Sequence, residues 1–108
     1  MVSRFLSALI LIALAPAAMA QQTDPAPGRR LAERYCTSCH EIRRDETGAG
    51  PMAMAPPFAL VARMPSTTQL SLHVFLRTSH AGMPNILLSE QEIDELAAYI
   101  VSLSPTPK

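Results

Sequence analysis

Apolar residues dominate the segment Phe5–Leu14, which directly follows the basic residue Arg4. The segment is shorter than the roughly 20 apolar residues that a membrane-spanning helix needs, and the sequence Ala18-Met19-Ala20 after it fits a small-residue cleavage site. This pattern predicts a secretory signal peptide over residues 1–20 that is removed on export. An uncleaved membrane anchor is the alternative, and Pro16 argues against it because proline interrupts a helix.

The pattern changes after the signal peptide. Residues 21–27 show no apolar period and contain two prolines, so we expect a flexible leader there. The folded domain is expected to begin near Gly28 and to comprise residues 28–104, with a short tail over residues 105–108. The chain after the leader is therefore predicted to form one small domain.

Two segments of this domain have helical periodicity. Residues 29–38 contain no helix breaker and place their apolar side chains on one face, which predicts a short amphipathic helix. A second helix is predicted to begin with Ser66 or Thr67 as its cap and to continue to about Thr78. A strand stays open as the alternative for this second segment, because its apolar residues also alternate with a period of two. These residues are Leu70, Leu72, Val74 and Leu76.

The strongest helical pattern lies near the C-terminus. Ser89 and Glu92 have the spacing of a capping box, and Pro105 marks the end of the segment. Apolar residues recur between them at helical spacing, which predicts one buried face. The residues of this face are Ile93, Leu96, Ala97, Ile100 and Leu103.

Residues 45–65 contain two glycines and four prolines, so the segment can hold neither a long helix nor an interior strand. We expect an ordered loop. Because the loop is rich in apolar residues, it is also expected to pack over another part of the molecule.

The segment Cys36-Thr37-Ser38-Cys39-His40 has the spacing by which haem c is attached to proteins. Two thiols three positions apart add to the two vinyl groups of the porphyrin, and His40 then offers an imidazole nitrogen to the iron. A disulfide or a thioredoxin-like redox pair is an alternative, but the redox pair needs a βαβ setting that this chain lacks. A zinc site would need four ligands, whereas this segment supplies three in a tight turn.

The sixth position of the iron has several candidate ligands. Met83 is favoured, because Gly82 and Pro84 beside it predict a rigid loop between the two later helices, and because a thioether suits ferrous iron. His80 is the rival, since a bis-histidine haem is chemically sound and has a lower reduction potential. Other candidates are interpreted as core residues (Met52, Met54, Met64) or as a surface or propionate-contacting residue (His73).

The charge of the chain argues against one class of partner. The formal net charge at pH 7 is zero, so nothing in it points to nucleic acid. Basic residues flank the cysteines and acidic residues gather near the C-terminus, which indicates either a polarised molecule with a docking role or two ordinary solvated surfaces. The basic residues are Arg29, Arg30, Arg34, Arg43 and Arg44, and the acidic residues are Glu90, Glu92, Asp94 and Glu95.

Taken together, these features resemble the class I cytochromes c over nearly all of the chain that follows the signal peptide. The matching residues, in family order, are Gly28, Cys36–His40, Gly50-Pro51, Ala55–Phe58, His80–Asn85 and Leu96–Ile100. The resemblance implies an all-α cytochrome c fold, with three to four short helices wrapped around one haem c. Cys36 and Cys39 would bind this haem covalently, and His40 and Met83 would be the axial ligands of its iron.

The resemblance implies two further contacts. The first and last helices would cross with Gly28 facing Tyr99, and the backbone carbonyl of Pro51 would accept a hydrogen bond from His40. The chain contains no Trp, which makes a propionate contact in some relatives. The candidates for this contact are Arg63, Arg77, His73 or water.

The expected function is one-electron transfer in the periplasm, because protein ligands occupy both axial positions and no acid–base pair or nucleophile is placed for substrate turnover. We therefore expect an electron-transfer protein and not an enzyme. Its partners would be redox proteins, with no stable membrane insertion after signal cleavage. Two alternatives stay open: a cytochrome subunit fixed to a periplasmic dehydrogenase or other oxidoreductase complex, and a haem sensor with a labile sixth ligand.

Overall fold

A computed structural model of the chain describes residues 24–44, 48 and 50–107. These residues form four α-helices: α1 (Ala26–Tyr35), α2 (Phe58–Arg63), α3 (Gln69–Arg77) and α4 (Glu90–Ser102). No strand occurs among the described residues, so the all-α prediction is confirmed and the strand alternative for the segment of α3 is wrong. The predicted signal peptide and the first residues of the leader lie outside the described residues.

Helix α1 begins and ends three residues earlier than predicted. The Asp24 carboxylate accepts a hydrogen bond from the backbone N–H of Ala26 at 3.0 Å, and Pro27 lies in the first turn, where its missing N–H needs no partner. The helix therefore takes in the last two residues of the predicted leader. It ends at Tyr35, and the backbone N–H of Cys36 closes the last turn by donating to Ala32.

Helix α2 interrupts the predicted loop over residues 45–65. Pro57 is its N-cap, and the backbone N–H groups of Leu60 and Val61 donate to the Pro57 carbonyl at 3.0 and 3.1 Å. A proline breaks the interior of a helix but is tolerated at its start. The short helix was not predicted because the prolines of this segment were interpreted only as helix breakers. Phe58, together with two alanines of the helix, is buried, so this segment does pack into the core.

Helix α3 begins later than predicted, because its cap is Thr68 and neither Ser66 nor Thr67. The Thr68 hydroxyl accepts from the Ser71 N–H at 3.0 Å, and the Ser71 hydroxyl accepts from the Thr68 N–H at 2.8 Å. Thr67 is instead buried, and its hydroxyl donates to the Val61 carbonyl at 2.6 Å.

Helix α4 is the element against which the other three helices pack. The predicted capping box is confirmed, since Ser89 and Glu92 exchange the two expected hydrogen bonds. These hydrogen bonds, from the Ser89 backbone first and then its hydroxyl, lower the pKa of Glu92. Residues of α4 that are buried against the other helices include Ile93, Leu96, Ala97, Ala98, Tyr99 and Ile100.

The predicted contact between the first and last helices is present. A Cβ atom at Gly28 would lie 1.9 Å from the Glu95 carbonyl oxygen and 2.7 Å from the Tyr99 Cβ, so only glycine allows α1 and α4 this close approach. The Tyr99 hydroxyl, at the same crossing, donates to the Ile42 carbonyl at 2.8 Å. Gly28 and Tyr99 therefore join α1, α4 and the segment that follows the cysteines.

The packing of α1 on α4 also brings one residue of the basic cluster near one residue of the acidic cluster. Arg34 of α1 helps to lower the pKa of Glu92 in α4, after the larger effect of the Ser89 hydrogen bonds. The Arg44 guanidinium donates to the carbonyl of Ser102 at the end of α4. No helix among the described residues is long and apolar enough to cross a membrane.

Candidate functional site

A large cavity of about 610 Å³, open to the surface, lies between the helices of the domain. Its size is that of a site for a cofactor. Of the described residues that line it, none is Asp, Glu, Lys or Arg. Apolar side chains from three helices form much of the wall, among them Phe58, Val61, Leu72, Leu76, Leu96 and Ile100.

Both predicted haem-binding cysteines line this cavity. The turn that holds them begins at Cys36, whose carbonyl accepts from the backbone N–H of Cys39 at 3.1 Å and from that of His40 at 2.8 Å. Both thiols are free. Burial, with a smaller effect of the Cys39 thiol, raises the pKa of Cys36 to about 11, so this sulfur stays protonated at neutral pH.

His40 also lines the cavity, and its ring is held in one orientation. The imidazole Nδ1 lies 2.7 Å from the carbonyl oxygen of Pro56. Because a carbonyl only accepts, Nδ1 carries the proton and Nε2 keeps its lone pair free for a metal. The Phe58 ring packs against the imidazole with a centroid distance of 5.2 Å.

The sequence predicted that His40 would donate to the carbonyl of Pro51. This prediction is wrong, because the carbonyl that His40 contacts belongs to Pro56. The chain on both sides of Pro56 is bound to the cysteine turn: Met52 N–H donates to the Cys39 carbonyl at 3.3 Å, and Phe58 N–H donates to the Glu41 carbonyl at 2.8 Å. Pro51 lies at the start of this paired segment, whereas Pro56 lies two residues before Phe58, whose ring contacts His40. The ring of His40 therefore meets the Pro56 carbonyl.

Met83 and His80 line the same cavity and contact each other. The His80 Nε2 lies 2.9 Å from the Met83 sulfur, and the His80 Nδ1 lies 3.0 Å from the Thr78 carbonyl oxygen. Gly82, with a φ of +81°, provides the sharp turn between the two side chains. The structure therefore brings Cys36, Cys39, His40 and Met83 to one cavity, as the sequence predicted, together with the rival His80.

The surface role that the sequence left open for His73 agrees with its position. Met52, Met54 and Met64 line the cavity, and Met54 is 93% exposed. His73 bridges α3 to α4 through Asp94 at 2.6 Å and Glu90 at 3.2 Å, outside the residues that line the cavity.

Three hydroxyl groups of the site were not found from the sequence. Ser66, Thr67 and Ser71 line the cavity at the start of α3, whereas the three candidates for a propionate contact, Arg63, Arg77 and His73, do not. The Ser71 hydroxyl is oriented by donation to the Ser66 carbonyl at 2.9 Å. Two adjacent hydroxyl residues before a helix were interpreted as candidates for its cap, so their position at the cavity was not predicted.

The residues of this cavity fit an iron porphyrin. The walls suit the apolar macrocycle, the two thiols stand together on one turn, and the imidazole of His40 and the thioether of Met83 are donors that haem iron accepts. The hydroxyl groups offer partners for the polar edge of such a group. Among the residues that the structure describes, no cluster of three or more His, Cys, Asp or Glu is arranged to hold a metal ion.

Comparison with known proteins agrees with this fit. Residues 23–100 match the family model described as cytochrome c oxidase, cbb3-type, subunit III. The chain is also 38% identical over 97 residues to cytochrome c-552 of Bradyrhizobium diazoefficiens, an alignment that covers 90% of this chain and 91% of that protein. None of the solved structures matches the chain.

Proposed function

Because the chain belongs to the cytochrome c family and is an electron carrier of that family, we propose that it carries one electron at a time on a single haem c. In this proposal Cys36 and Cys39 bind the haem covalently, and His40 and Met83 ligate its iron. The observation that carries the proposal is the meeting of these four side chains in one apolar cavity.

The residues around the haem would have separate tasks. When bound, the haem iron supplies the one-electron couple. The Pro56 carbonyl fixes the His40 ring and increases electron donation from its Nε2. The apolar wall excludes water, and α4 keeps the ligand-bearing segments at a fixed separation, so little rearrangement accompanies a change of charge on the iron.

Two protein ligands leave the iron without an open position for oxygen or peroxide. We therefore propose simple electron exchange with redox proteins, and the predicted signal peptide favours the periplasm as its location. A second candidate is a subunit fixed to an oxidoreductase complex, which the description of the matched family favours. Isolation from native periplasm as a single chain would support the free carrier, and co-purification with a catalytic subunit would support the second candidate.

The haem and its ligands are tested by expressing the full chain together with the haem-attachment machinery. We expect a mass increase of one haem over the secreted chain and an iron–thioether absorption band in the ferric protein. The band should disappear in Met83→Ala and persist in Met54→Ala, because Met54 also lines the cavity but is almost fully exposed. A colourless product with free or disulfide-bonded thiols would refute the proposal.

Carbon monoxide distinguishes the carrier from a sensor. A firmly held Met83 leaves the ferrous protein slow to bind the gas, or unable to bind it, at neutral pH. Rapid and complete binding to the unmodified protein would instead support a sensor with a labile sixth ligand.

A further inference from the structure

His80 and Met83 direct two donor atoms to the same part of the cavity. The His80 Nε2 and the Met83 sulfur are 2.9 Å apart, and both residues line the cavity beside the cysteine turn. An iron porphyrin has a single axial position on each face. Two donors this close together on one side of the iron can bind it only in turn.

The contacts of His80 prepare its Nε2 as a metal ligand. Both partners of the ring only accept: the Thr78 carbonyl oxygen lies 3.0 Å from Nδ1, and the Met83 sulfur, a weaker acceptor, lies 2.9 Å from Nε2. A neutral ring has one N–H, and the stronger acceptor favours the proton on Nδ1. The lone pair of the ring is then on Nε2, which faces the Met83 sulfur. This is the arrangement in which a hydrogen bond on one nitrogen orients the other for a metal.

The end of α3 holds this ring in place. The Phe75 ring lies 3.8 Å from the imidazole, measured between centroids, and Thr78 closes the helix with a backbone hydrogen bond to Phe75 at 3.2 Å. The Thr78 hydroxyl also donates to the Phe75 carbonyl at 3.0 Å. The imidazole is therefore positioned by a helix end and not by Met83 alone, so it keeps its place when the methionine side chain moves.

We propose that His80 is a reserve ligand, whose Nε2 binds the haem iron whenever the Met83 sulfur leaves it. This inference rests on the proposed haem site. The exchange breaks one iron–sulfur bond and forms one iron–nitrogen bond, and it transfers neither an electron nor a proton because Nε2 already carries a lone pair. Its effect is to keep the iron six-coordinate, and so closed to small molecules, after loss of the first ligand.

The test compares holo-proteins that lack Met83, with and without His80. In Met83→Ala we expect a low-spin, six-coordinate haem without the iron–thioether band and with a lower reduction potential than the unmodified protein. In Met83→Ala/His80→Ala we expect a high-spin haem that binds carbon monoxide rapidly. The apparent affinity for the gas should be at least about tenfold lower in the single variant, because the imidazole competes for the position.

His73 provides the matched control, since it is a histidine of α3 that does not line the cavity. Met83→Ala/His73→Ala should behave like Met83→Ala. Met83→Leu repeats the test with a side chain that preserves apolar volume, in case alanine disturbs the loop.

Three results would overturn the inference. The first is a high-spin haem in both Met83→Ala and Met83→Leu. The second is a low-spin haem that persists in Met83→Ala/His80→Ala, because a group other than His80 would then be the reserve ligand. The third is an unmodified protein that already has two imidazole ligands. An unmodified protein that has the iron–thioether band but yields a high-spin haem in both Met83→Ala and Met83→Leu refutes only the role of His80. A haem-free product refutes the proposed function itself.

Discussion

Gly28 is the residue at which the packing of α1 against α4 tolerates no side chain. The atom nearest to a Cβ atom at Gly28 would be the Glu95 backbone carbonyl oxygen, at 1.9 Å. A side chain could relieve this clash by changing rotamer, but the backbone of a helix cannot. We predict that Gly28→Ala destabilises the holo-protein by about 2 kcal/mol, as overpacked sites do. Chemical denaturation, followed by helical circular dichroism, measures this change.

Gly48 is the matched control for this prediction. A Cβ atom at Gly48 would have nothing within 4 Å. Gly48→Ala should therefore leave the free energy of unfolding within about 0.5 kcal/mol of the unmodified protein. Equal effects of the two substitutions would mean that the α1–α4 contact does not limit stability.

At the scale of elements, Tyr99 joins α4 to the segment after the cysteine turn. Its buried hydroxyl donates to the Ile42 carbonyl at 2.8 Å, and burial is the main cause that raises its pKa above the ordinary value of 10.0. We predict that Tyr99→Phe lowers the free energy of unfolding by about 1 kcal/mol at pH 7, the typical value of such a bond. Denaturation midpoints give this difference.

The same substitution should change the pH dependence. Because the pKa is higher in the folded protein, the contribution of the neutral Tyr99 is complete below pH 10, and it is lost as the pH rises through the folded value. The unmodified protein should therefore lose more stability above pH 10 than Tyr99→Phe, so the two curves converge.

Elements set by local chemistry were predictable from the sequence, and elements set by the path of the chain were not. The capping box of Ser89 was found because it needs only two residues at a fixed spacing. Helix α2 was missed because Pro57 was taken as a breaker, although proline starts a helix as readily as it interrupts one. The cap of α3 was misplaced because hydroxyl residues stand at 66, 67 and 68, and tertiary packing buries the middle one.

In the candidate site too, the features that depend on local sequence were predicted and those that depend on tertiary structure were not. The cysteine turn and Met83 were predicted from motif and loop composition, and the structure brings them to one cavity. The choice between the carbonyl groups of Pro51 and Pro56 depends on how residues 50–58 pair with the cysteine turn, which no local pattern encodes. The short distance between His80 and Met83 likewise depends on the turn at Gly82 and the end of α3.

At the scale of the whole molecule, the cavity occupies the place where a larger protein would have core. Each of α1, α2 and α3 contacts α4, and apolar residues of α2, α3 and α4 line the cavity between them. A domain of this size has a modest apolar core, and a cross-link or a cofactor commonly adds to its stability. Haem would supply both the missing core volume and, through its two thioether bonds, the cross-link.

We therefore predict that the chain does not fold cooperatively without haem. Cys36→Ser/Cys39→Ser, purified free of haem, should lose most of its helical circular dichroism and should show no sharp thermal transition, because the cavity walls would face water. Thr37→Ala, between the two cysteines and exposed, keeps both thiols and should retain haem and a cooperative transition. A sharp transition in the haem-free double variant would show that the four helices form a sufficient core by themselves, and would limit the role of the haem to electron transfer.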